Sequence, residues 1–287
     1  METAMPFATT VEVLIYVFVT LAMLCIGMSA TLSDMLALAR ERTRATRAII
    51  ANIVIPPVIA FVLVLLFPME DAAAKVLLLL AFAPGGINAI QFSTKSPGQL
   101  AAAGELLILL SAIGLVSAPV AATFLLPSEA ALSIPVGELA FRIIVLVAAP
   151  LAIGMMIRSV APGIAEKTYK PAMMISTLSF IASVILSLSM RQDAVGELGT
   201  GTVLAMLCLI LASMAAGWLL GGAELDYRQV LAVTTNLRNV GLVYVLVDGC
   251  CLDPSYSTVL FAFMALMVPA NLVFTILCAI LRKRRAQ

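Results

Sequence analysis

Thr234-Thr235-Asn236-Leu237-Arg238-Asn239-Val240-Gly241-Leu242 is a polar, glycine-containing run inside a segment otherwise apolar enough to cross a membrane. An arginine near the middle of a span costs roughly 2.5–3.5 kcal/mol on insertion scales, so it needs a partner or a wet cavity. Asn236, Asn239 and Gly241 predict an interrupted helix here. Unwound backbone at membrane depth is tolerated only where it is buried in protein or lines a cavity. The run therefore marks a site as well as a fold.

Working outward, the 287 residues are 62% hydrophobic and 11% charged, with a mean hydropathy of +1.12. A soluble domain is about 45–50% apolar, so the chain reads as an all-α polytopic membrane protein. Its formal net charge of +1 and the scatter of its basic residues over short loops give no nucleic-acid footprint. The absence of histidine removes the commonest metal ligand and the usual proton shuttle. No base-and-nucleophile constellation points to an enzyme, and no cofactor is expected beyond sodium or a proton as coupling ion. The first ten residues lack Lys and Arg, so the first apolar run is expected to be a retained span rather than a cleaved signal.

Nine runs reach spanning length: 11–30, 46–67, 73–94, 99–126, 138–157, 171–190, 201–220, 229–247 and 255–281. Arg40, Arg42, Arg44, Arg47, Lys95, Arg158, Lys167, Lys170, Arg228 and the tail Arg282-Lys283-Arg284-Arg285 fall on one side. That side is expected to be cytoplasmic in a plasma or inner membrane, with the N-terminus outside and the C-terminus inside. Arg142 is expected to snorkel to the outer headgroups beside Glu138. The third run, interrupted by Pro84-Gly85-Gly86-Ile87-Asn88 and followed by Gln91, Ser93 and Thr94, is the natural partner of the eighth. They lie five runs apart, an odd offset that reverses direction, as inverted repeats require. The division predicted is a first repeat of four spans over 11–126 and an inverted second of five over 133–282.

Gly27-Met28-Ser29-Ala30-Thr31-Leu32-Ser33-Asp34, Ile55-Pro56-Pro57, Ala83-Pro84-Gly85-Gly86 and Asn239-Val240-Gly241-Leu242, in this order and spacing, resemble the bile acid:sodium symporter family over about 11–281. The resemblance implies a ten-helix inverted-repeat fold, or a nine-helix form lacking the first helix. It implies a panel domain (11–30 and 138–190) and a core domain (46–126 and 201–281) carrying two crossing broken helices, with substrate between them. The function implied is secondary transport of small organic anions, bile-acid-like or other carboxylates and sulfonates, by alternating access. A non-transporting sensor or scaffold that keeps the fold is the alternative. An arsenite extruder of the wider superfamily is disfavoured, since no cysteine stands beside Pro84-Gly85-Gly86.

The departures from the family bear on mechanism. The family's sodium-site glutamine falls on Asn52, its serine–asparagine pair on Ala89 and Ile90 with Asn88 one residue away, its glutamate on Thr234 and a second glutamine on Arg238. A guanidinium has five donors and no acceptor and cannot coordinate a cation, so sodium coupling is expected to be weakened or lost. Arg238, Asn88, Gln91, Asn236 and Asn239 are the substrate-binding candidates; Asn52, Thr234 and Glu105 are those for ion-site remnants or coupling. Counted from the expected span ends, Glu105 and Arg238 share a depth of roughly 12–14 Å. They are read either as a fixed ion pair or as a proton site beside an anion site.

Lesser features read plainly. Cys25, Cys208 and Cys278 are small hydrophobes within spans, and Cys250-Cys251 could be a strained vicinal disulfide, free thiols or intermolecular links. Met155, Met156, Met173 and Met174 are placed along the substrate wall. The serine stripe 176–189 reads as close helix packing, and Trp218 as a lone interfacial anchor.

Overall fold

A computed structural model describes residues 4–29, 31, 41–86, 89, 92, 97–126, 136–190, 198–249 and 253–285. Among the described residues every regular element is a helix. That is what an apolar solvent dictates, because a helix satisfies its backbone within the segment. In chain order they are α1 (Ala4–Ser29), α2 (Arg42–Leu66), α3 (Asp71–Ala81) and α4 (Pro97–Leu125). Helix α5 comprises Val136–Ile143, a wide turn Ile144–Ala148 and Ala149–Val160. Then come α6 (Pro162–Met190), α7 (Thr200–Leu220), α8 (Leu225–Asn236), α9 (Val240–Gly249) and α10 (Pro254–Arg285).

Seven of these, α1, α2, α4, α5, α6, α7 and α10, are long and apolar enough to cross a membrane. The other two expected spans are not continuous helices. The third stops at Ala81, and the eighth is divided into α8 and α9.

Two helices carry a π turn just before proline: Ile50–Val54 ahead of Pro56 and Pro57, and Ile144–Ala148 ahead of Pro150. Proline has no amide to give the carbonyl four residues back, and its ring crowds that carbonyl; the widened turn makes room.

Helix α1 packs chiefly on α5 and α6, whereas α7 packs on α8 and α2, and α8 on α4. Gly27 and Gly154 set the α1–α5 approach, since a Cβ at either would run into the backbone of the other helix. The serines of α6 serve packing of the same kind: Ser176 donates to the Phe18 carbonyl of α1 at 3.1 Å, and Ser183 bonds back within its own helix. Cys25 and Cys278 are buried and Cys208 is exposed; Cys250-Cys251 lie outside the described residues.

Arg142 has a partner on another helix. Its Nη1 donates to Asp248 Oδ2 at 3.0 Å, and the Tyr16 hydroxyl donates to the same oxygen at 2.8 Å, tying α1, α5 and α9 together. Trp218, the single tryptophan, meets Phe274 edge-on at 5.8 Å and lies beneath the Arg228 guanidinium at 4.5 Å.

Candidate functional site

The interrupted stretches of the third and eighth segments meet. Past Ala81 the chain leaves the helix through Phe82, and Gly85 adopts a positive φ of 93° that an L side chain rarely takes. Asn239 N donates to the Ala83 carbonyl at 2.8 Å and Gly86 N to the Leu237 carbonyl at 3.2 Å, so the two breaks pair like a short piece of antiparallel ladder around Pro84 and Arg238. A Cβ at Gly86 would fall 2.6 Å from the Arg238 carbonyl oxygen; only glycine lets the strands approach. Each break thus satisfies backbone groups the other exposes, which is how non-helical backbone survives at membrane depth.

Arg238 is 2% exposed, and its guanidinium donates to three backbone carbonyls: Nη1 to Asn52 at 3.0 Å and to Ala81 at 3.5 Å, and Nη2 to Thr235. The sequence explains why each carbonyl is available. Residues four and five beyond Asn52 are Pro56 and Pro57, so neither an α nor a π hydrogen bond can reach it. Ala81 is the last residue of α3. Thr235 lies at the end of α8, and the amide that would have closed its turn, that of Asn239, goes to Ala83 instead. Two of the three are helix C-terminal carbonyls carrying the negative end of the macrodipole. Three orphaned acceptors therefore converge on one permanent cation, and a set of backbone oxygens that a hard cation could use is filled by donors.

The expected pairing of Arg238 with Glu105 is not formed. Helix α8 begins at Leu225, four residues before the expected start, so Arg238 lies 13 residues in and Glu105 only eight into α4. At 1.5 Å per residue these are rises of roughly 20 and 12 Å from the two helix starts. Glu105 instead lies within electrostatic reach of Tyr227, along with Glu41, Arg44 and Arg47. Among the described residues, every polar contact of the guanidinium is to a carbonyl.

The remaining candidates divide. Asn52 takes part through its main chain; its Nδ2 donates back to Ala48 at 3.0 Å, and its buried Oδ1 has no partner among the described residues. The Thr234 hydroxyl likewise bonds back to Leu231 within its own helix. Asn239 caps α9, its Oδ1 accepting the Leu242 amide at 3.0 Å. Asn236, 1% exposed, has neither side-chain polar atom bonded among the described residues, and Asn239 Nδ2 and Thr235 Oγ1 are in the same condition. Asn88 and Gln91 lie outside the described residues. Pro56 and Pro57 are contributors that residue-by-residue reading missed; the signal was their spacing from Asn52.

Beside the crossing is a cavity of about 20 Å³, room for roughly one water. Its walls are Phe18 and Met23 of α1, Phe180 of α6, the broken backbone from 237 to 241, and Met264 and Met267 of α10. A second void of about 10 Å³ continues the seam past Ser183 to Tyr244. The wall methionines are thus Met23, Met264 and Met267. Of the four expected there, Met156 and Met174 are exposed at 58% and 60%, and neither Met155 nor Met173 lines the cavity. The N-terminus of α9 faces this cavity through Val240 and Gly241.

Residues 16–198, more than half of the chain, match the Sodium Bile acid symporter family. No curated protein matches the sequence.

Proposed function

The chain belongs to the Sodium Bile acid symporter family, and from that premise we propose that it is a secondary transporter of small organic anions, working by alternating access with a tethered guanidinium in place of a coupling sodium. The observation that carries this reading is the arrest of Arg238 by the carbonyls of Asn52, Ala81 and Thr235. Backbone oxygens at the C-terminal ends of half-helices are the usual ligands of a transported cation, and the N-terminal end of the following half-helix suits an anionic group. Here the first set is satisfied by a side chain that cannot leave. An anion in the seam would meet the capped N-terminus of α9, the Asn239 amide and the positive field of Arg238.

In this reading α1, α5 and α6 form the panel and the remaining helices the core, and α1 to α4 and α5 to α10 are the two inverted repeats. The basic loops face the cytoplasm. A cavity of about 20 Å³ is closed to any organic anion, so carriage requires the panel to part from the core along the Phe18–Phe180 and Met264–Met267 seam.

The test is uptake into proteoliposomes across a set of carboxylates and sulfonates, with and without sodium. Wild-type transport is expected to be indifferent to sodium, and Arg238→Gln, which restores a side-chain carbonyl and removes the charge, is expected to lose transport or to acquire a sodium requirement. Sodium-stimulated wild-type transport that survives Arg238→Gln unchanged would overturn the reading.

A further inference from the structure

We propose that the groove between α7 and α10 is a binding site for an anionic phospholipid, one acyl chain lying in the groove and the phosphate resting on Arg228.

The groove is an open cleft of about 500 Å³ whose walls include Leu211, Met214 and Trp218 on α7 and Phe274, Leu277 and Leu281 on α10. From Leu211 to Leu219 it runs along eight residues of helix, roughly 12 Å. Leu211, Leu219, Leu277 and Leu281 are 51–74% exposed along it, so the walls are open to the bilayer. An apolar cleft in that setting accepts an acyl chain of any lipid; selection has to come from the end where Trp218 stands.

That end is basic and partly unused. Arg228 lies over the Trp218 ring, with Cζ 4.5 Å from the centroid, and Nε donates to the Trp218 carbonyl at 3.1 Å. These two contacts to one residue hold the guanidinium at the end of the groove. Its two terminal nitrogens have no protein partner among the described residues, and a phosphate takes such a fork bidentately. Arg47, exposed on α2, lies against Gly222 in the turn just past the groove, and α10 continues beyond Leu281 into Arg282-Lys283-Arg284-Arg285. The nearby acid Glu224 is held by Arg44 at 2.9 Å.

A second copy of the chain is the poorer occupant. Two-fold pairing through this face would bring the same basic end of both chains together at one level of the membrane. The charge and the apolar slot together call for a ligand that is anionic at its head and aliphatic behind it.

Trp218 is the single tryptophan of the chain and lines the groove, so its fluorescence reports occupancy directly. The full chain is placed in phosphatidylcholine nanodiscs carrying increasing mole fractions of acyl-brominated phosphatidylglycerol, or of acyl-brominated phosphatidylcholine, and quenching is followed. One basic residue near a membrane surface favours an anionic lipid by about fivefold. The brominated phosphatidylglycerol is therefore expected to reach half-maximal quenching at about one-fifth the mole fraction needed by the brominated phosphatidylcholine. Arg228→Gln should merge the two curves. Arg158→Gln, an equal loss of charge at the pair with Glu166, should leave them apart. Ala215→Phe, which fills the groove and keeps the charge, should weaken quenching by both. Coincident curves in the wild type would mean ordinary annular lipid and would overturn the proposal, as would a separation that persists in Arg228→Gln. Absence of quenching by either lipid, with a dimeric mass in native mass spectrometry, would assign the groove to a second copy instead.

Discussion

At the scale of residues, the centre of the molecule is a question of which carbonyls have lost their amides. Asn52 matters through its main chain, and the reason sits four and five residues later in Pro56 and Pro57. Substitutions should therefore rank in an order that side-chain reasoning would invert. Asn52→Ala keeps the carbonyl, loses one bond to Ala48 and removes a buried oxygen with no partner. Thermal stability in detergent is expected to change by no more than about 1 kcal/mol, with anion uptake retained. Pro56→Ala would normally favour a helix interior by about 3 kcal/mol. Here it supplies an amide that competes with Arg238 for the Asn52 oxygen, and uptake is expected to fall further than in Asn52→Ala. If Asn52→Ala is the more damaging of the two, the Asn52 amide, and not its carbonyl, is the functional group.

At the scale of elements, the break between α8 and α9 was legible because Asn236, Asn239 and Gly241 sit together in an apolar run with a charge among them. The depth of Glu105 was not. Hydropathy starts a span at the first apolar residue, whereas α8 begins at Leu225 and includes Asp226 and Arg228, which are polar but helical. Four residues of offset separated two groups that had seemed level. Arg142 has a partner that its own helix could not indicate: Asp248 is 106 residues away, and spacing along one helix carries no information about a third. That pair holds α5 to the end of α9, with Tyr16 of α1 on the same oxygen. The side chains are 32% and 27% exposed, so solvent screens the pair in part. Thermal stabilities of Arg142→Gln, Asp248→Asn and the double variant are expected to give a coupling of about 1 kcal/mol. Strict additivity would show the contact to be energetically idle.

At the scale of the whole molecule, composition alone gave the class, and four short motifs gave the family, because both are properties of the chain read in order. The site was only half legible. Its polar residues could be picked out, but the convergence of three carbonyls on one guanidinium depends on where two broken segments cross, which no local pattern records. The fixed cation also has an energetic consequence. A sodium ion that accompanies an anion cancels its charge, and the pair crosses the bilayer without regard to voltage. With the positive charge welded to the protein, a monovalent anion would travel as net negative charge, and an interior at −100 mV would favour its exit by about 2.3 kcal/mol. That corresponds to roughly a fiftyfold gradient, outside over inside. Imposing a potassium-diffusion potential on proteoliposomes is expected to drive the anion toward the positive side and to reverse when the potential is reversed. Under the proposed function, transport would run outward wherever the interior is negative, its direction set by the one charge that stays with the protein.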